Sequence, residues 1–137
     1  MDIPGLRSDR ETVGGLVFFG RMLDKIRLHS QGKLPGDYNL GHGFDGRMCR
    51  FLHVEYSEVV KKALAEADDF QVLQWCFQVG RRPNDEGIEI FNAFLSKRGL
   101  KDDVSAWVAE QKNKLGLSHR DDIQTAFDIH DADEGRM

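Results

Sequence analysis

Long apolar runs are missing from this chain. Of its 137 residues 40% are hydrophobic and 31% charged, and no stretch approaches the roughly 18 consecutive apolar residues of a membrane span. No apolar segment follows a basic N-terminus, so no signal peptide is expected and the expected location is cytoplasmic. Cysteine is scarce. Cys49 and Cys76 stand alone in apolar contexts, outside any Cys-x-x-Cys or Cys/His spacing, which predicts two buried free thiols and no metal site. Three prolines and fourteen glycines are too few for a collagen-like or low-complexity chain. An excess of positive charge is lacking too. The formal net charge is −4, so neither nucleic acid nor a membrane is an expected partner.

What is present suits a small helical protein. A chain of this length forms one core and buries roughly two-thirds of its unfolded surface, without a disulfide or metal staple. We expect one helical domain over 1–137, with 1–11 and 132–137 as candidate flexible ends. Charge is uneven along it: residues 1–62 hold ten Lys/Arg and eight Asp/Glu, residues 63–137 nine and fifteen. A small anion would be drawn toward the N-terminal half.

The apolar pattern is helical nearly throughout. Residues 12–31 read as the longest helix, closed by Gly32. Four glycines in residues 32–43 make a loop. Further helices are expected over about 45–52, after Ser57, after Asp68 or Asp69, after Asn84, from Asp102 to Gly116, and over about 119–130. No segment alternates apolar and polar residues over four or more positions, so no sheet is expected. The predicted fold is an all-α bundle of six to seven helices with a glycine-rich loop after the first long helix.

That first helix has an unusual pattern. With Arg21 set at zero and about 100° per residue, Leu16, Phe19, Leu23, Ile26 and Ser30 fall on the opposite side as a core stripe. Arg21, Asp24 and Lys25 share the other face, and so do Val17, Phe18 and Leu28. A helix apolar on both sides is usually sandwiched between other elements. Its charges then form a paired internal network or the wall of a pocket; the bland alternative is a solvated face. The glycine loop offers Tyr38, Asn39 and His42, and Asp45 and Arg47 open the next helix, whose N-terminus with nearby arginine suits an anion. The candidate ligand-binding set is Arg21, Asp24, Lys25, His42, Asp45 and Arg47. The glycines at 32, 36, 41 and 43 fit neither a phosphate-loop nor a dinucleotide spacing.

These residues also carry a resemblance. Gly20–Arg27, then Phe44-Asp45 leading to Arg50-Phe51-Leu52, resemble a family of small bacterial proteins known as domain of unknown function 5069. The helix around Trp75, the Glu89-Ile90-Phe91-Asn92 run and residues 131–136 fit it too, so the likeness spans about residues 8–136. The resemblance implies a helical fold. It supplies no activity, cofactor or catalytic residue.

Other constellations are weaker. His29, His42, His53, His119 and His130 belong to no local catalytic signature, although Ser-His-Asp sets form in space. The acidic end, Asp128 to Glu134, lacks the twelve-residue calcium-loop spacing. It reads as a solvated terminus, a metal site or a partner for basic residues of the first helix. Phe51, Phe70, Phe77, Phe91, Phe94 and Phe127 sit at core spacing, and Trp75 and Trp107 are expected to be mostly buried. No cofactor is implied. Two functions remain: a helical domain binding a small anionic ligand at the candidate residues, with or without catalysis, or a non-enzymatic interaction module or homodimer in which these charges are a structural ion network.

Overall fold

The computed structural model describes the whole chain, Met1–Met137. Seven helices follow a short hairpin: β1 (Thr12–Val13), β2 (Leu16–Val17), α1 (Phe19–Ser30), α2 (Phe44–Leu52), α3 (Tyr56–Ala63), α4 (Asp69–Val79), α5 (Asp85–Ser96), α6 (Ser105–Lys114) and α7 (Ala126–Asp133).

The hairpin corrects the all-α expectation and shortens the first helix, which starts at Phe19 rather than residue 12. Gly14 and Gly15 have φ of 57° and 83°. Two consecutive positive φ values suit the turn whose twist matches a pair of antiparallel strands. Thr12 pairs with Val17 and Val13 with Leu16. Strands of two residues are too short to show alternation, so the glycine pair was the only local sign of them.

Several caps match the sequence. Asp68 caps α4 in a reciprocal arrangement with Gln71, and Asn84 accepts from the Gly87 N–H at the start of α5. Others differ. Ser57 lies inside α3. Asp102 holds the turn before α6, accepting the N–H groups of Gly99 and Val104. Thr125 caps α7 with Asp128, so the last helix begins later than expected.

The main core gathers around α1. Phe19, Met22, Leu23 and Ile26 pack with Met48, Cys49 and Leu52 of α2, Val59 of α3, Leu73 and Cys76 of α4, Leu95 of α5 and Phe127 of α7. Leu28, on the other side of α1, packs with Ile3 and Leu6. The N-terminal segment therefore covers the face of α1 that the bundle leaves open. Both cysteines are buried and free, and burial pushes each thiol up to about 12. Six aromatic residues lie further out than their spacing suggested: Phe70, Phe94 and Trp107 are exposed, and Phe51, Phe77 and Trp75 are half-buried.

The chain ends, expected as candidate flexible segments, are joined to each other here. Ser8 Oγ donates to Asp131 at 2.8 Å, Arg10 pairs with Asp128 and Asp131, and Arg136 donates to the Leu6 carbonyl. No helix is long and apolar enough to cross a membrane.

The hairpin turn gives a direct test. A Cβ on Gly14 would lie 2.4 Å from Leu73 Cδ2, a fully buried side chain, at a φ that L residues rarely adopt. Gly14→Ala should lower unfolding free energy by about 1–3 kcal/mol in urea titration; an unchanged midpoint would contradict this account of the turn.

Candidate functional site

Burial of α1 on two sides takes its ionic groups out of water. Arg21 is 2% exposed, Lys25 4% and Asp24 9%. An unpaired charge there costs several kcal/mol, and each of the three is paired.

Arg21 is gripped from both ends of the chain. Its Nη1 and Nη2 donate to the two carboxylate oxygens of Glu134, each at 2.7 Å, in the fork geometry that suits guanidinium to carboxylate. Nη1 also donates to the Arg7 carbonyl at 3.1 Å, and Nε lies 3.2 Å from Asp9 Oδ1. Burial pushes the Glu134 carboxyl up, but Arg21, Arg136 and the Tyr38 hydroxyl outweigh it and hold it down at about 2, against an ordinary 4.5. Tyr38 donates to Glu134 at 2.8 Å. Burial and that acceptor push the phenol above its usual range.

Lys25, one turn further along, meets a different partner. Its Nζ lies 2.9 Å from Asp45 Oδ1 and donates to the Asn39 carbonyl at 2.8 Å. Of its three N–H groups one goes to the Asn39 carbonyl, and the nitrogen stands 5.3 Å from the centre of the Phe18 ring. Burial pushes the ammonium down and the Asp45 carboxyl up, each partly opposed by the other. Phe18 itself is held at φ 70°, a conformation costly for a bulky residue. Gly41 brings the loop in over the start of α2: its N–H donates to Asp45 at 3.0 Å, and its Cα passes so close to Tyr56 that a Cβ would touch the ring at 3.0 Å.

Asp24 turns the other way. It accepts from the Arg7 backbone and guanidinium at 2.8–3.0 Å, and Arg7 continues to Asp69, which also binds Arg27.

Beside Arg21 and Lys25 lies an open cleft of about 690 Å³, within the usual size range of ligand sites. Phe18, Phe44, Ile129, Leu115 and Trp107 supply its apolar wall; Tyr38, Asn39, Gln111, His130, Asp133 and Glu134 supply polar groups. Phe44 is the pivot of that wall, meeting Phe18, Phe127 and His130 edge-on at 5.4, 5.8 and 6.4 Å. His130 Nδ1 lies 2.7 Å from Asp9 Oδ2, and Asp9 is fully buried. The buried oxygens Asp9 Oδ1 and Asp45 Oδ1 have no hydrogen-bond partner; each is held by ion-pair contact alone.

Of the six candidate residues, Arg21 and Lys25 line this cleft, and Asp45 stands behind Lys25. Asp24 faces the Arg7 side. His42 and Arg47 are exposed, with Arg47 stacked 5.0 Å over Phe94. Asp9 and Trp107 were not among the sequence candidates for a site, and His130 entered only as one of five histidines and within the acidic end weighed as a metal site. Of the readings weighed for the acidic end, pairing with the first helix describes Glu134, whereas Asp128 and Asp131 pair with Arg10.

Glu134 gives a pH test. Its carboxyl is depressed in the fold, so its stabilisation is full above the unfolded value near 4.5 and is lost as pH falls toward 2. Thermal melts should drop across that window, and Glu134→Gln should flatten that drop. A variant with the same acid slope would show that the carboxylate is not held by Arg21 as described.

The family described as "Domain of unknown function (DUF5069)" matches residues 3–136. No curated protein matches the sequence.

Proposed function

The chain belongs to the DUF5069 family, which carries no assigned activity, and from the geometry above we propose that the protein binds a small molecule with a flat apolar body and one acidic or anionic head. The body would lie on Phe44, Trp107, Leu115 and Ile129. The head would meet the Lys25 ammonium. That buried ammonium, on the lining of an aromatic-walled cleft of ligand size, is the observation that carries the reading.

A bare inorganic anion is less well supported. Arg21 is already occupied by Glu134 and Asp9, and Asp37, Asp133 and Glu134 lie along the same lining. An apolar body therefore has to contribute a good part of the affinity.

A second reading, an interaction module or homodimer with the charges as a structural ion network, draws on Ile90 and Phe94. They are four residues apart on α5 and 62% and 42% exposed. Arg47 and Arg98 each stand 5.0 Å from the centre of the Phe94 ring, so any partner would also meet two cations there.

The test is a thermal-shift screen of small aromatic and aliphatic carboxylates and phenols against the wild type and Trp107→Ala. A ligand at a hundred times its Kd stabilises by about 2.7 kcal/mol. At least one compound should raise the melting temperature, and Trp107→Ala should lose most of that rise while the ligand-free melt moves little. No shift with any compound, or an equal shift in the variant, would count against the cleft.

A further inference from the structure

We propose that Asp9 and His130 form a proton-accepting pair in this cleft, and that the head group received there is an ionisable hydroxyl on an aromatic ring, a phenol. This inference rests on the cleft being the binding site and goes further, to the chemistry of the head.

The geometry is that of an oriented base. Asp9 is fully buried and presents Oδ2 to His130 Nδ1 at 2.7 Å, while its other oxygen lies against Arg21. A carboxylate only accepts, so neutral imidazole must carry its proton on Nδ1, and Nε2 is left with a lone pair. With Nδ1 turned inward, the opposite edge of the ring belongs to the cleft, which His130 lines. Phe44 and Trp107 meet the imidazole at ring angles of 83° and 71° and fix its plane. Arg21, on the far oxygen of Asp9, is shared with Glu134, so Asp9 keeps its acceptor character toward the ring.

Charge around the ring supports the same direction of proton flow. Asp9 presents its carboxylate to the imidazole, and Lys25 brings an ammonium to the same cleft lining. A phenol gives its O–H proton to Nε2; the bonding pair stays on oxygen, and no further reactant is needed. The phenolate so formed is an anion in a cleft whose lining includes the Lys25 ammonium. His130 is thus the proton acceptor and Asp9 a positioning residue.

Two measurements on the full-length protein test the proposal. The first needs no ligand: ¹⁵N NMR of the His130 ring at mildly alkaline pH should show the Nδ1–H tautomer. Asp9→Asn should move the proton to Nε2, because the asparagine amide then donates to Nδ1. An Nε2–H tautomer in the wild type overturns the proposal even where Asp9→Asn fails to fold. The second uses p-nitrophenol as probe at neutral pH. On binding, its phenolate absorption should rise relative to the free probe, and His130→Gln should still bind the probe but lose that rise. Binding without a rise in the wild type overturns the proton transfer and leaves the cleft reading standing. No binding by either protein removes the cleft as a site for phenols and the proposal with it.

Discussion

A guanidinium buried on α1 has to be surrounded by carboxylates, and this chain draws them from its two extremities. Glu134 takes Arg21 in a fork and Asp9 stands at its Nε. The segment before the hairpin and the cap residue after α7 are therefore fastened to the same residue. The remaining contacts follow that constraint: Ser8 and Arg10 reach Asp131, and Arg136 reaches back to Leu6. Removing one partner from such a cluster leaves the others buried and unpaired, a loss of about 3–5 kcal/mol.

The same cluster positions the cleft. Glu134 orders Tyr38, and Asp9 orders His130. Lys25, one turn along α1, ties in the loop through Asn39 and α2 through Asp45. The polar side of the cleft is thus an outgrowth of the ion network, and its apolar side comes from α2, α6 and α7. The charged face of α1 is an internal ion network, and two of its members, Arg21 and Lys25, also line the cleft.

Local signals in the sequence were readable because they depend on periods of a few residues. Phe19, Leu23 and Ile26 of the core stripe, the caps at Asp68 and Asn84 and the sandwiching of Arg21, Asp24 and Lys25 belong to this class, whereas Leu16 of that stripe lies in β2 and Ser30 is exposed. The sandwiching was inferred partly from Val17 and Phe18, which lie in β2 and at the cap of α1; within the helix only Leu28 carries it. The partners of those charges were not readable. Glu134 is 113 positions from Arg21 and Asp9 is 121 from His130, and no periodicity links residues so far apart. Trp107 misled for a related reason: its helical spacing resembles a core position, yet it is 38% exposed and lines the cleft. Among six candidate site residues, the two that line it sit on α1, where the pattern was strongest. His42 was chosen from loop composition and Arg47 from its place at the start of a helix, neither of which says in what direction a side chain points.

The most direct measurement of the central claim is a double-mutant cycle in urea between Arg21→Met and Glu134→Leu. Each single change should cost several kcal/mol, because each strands a buried charge. The double change should cost much less than their sum, with a coupling of about 3 kcal/mol. Strictly additive losses, or singles that cost almost nothing, would contradict the view that this buried ion pair holds the chain ends to α1.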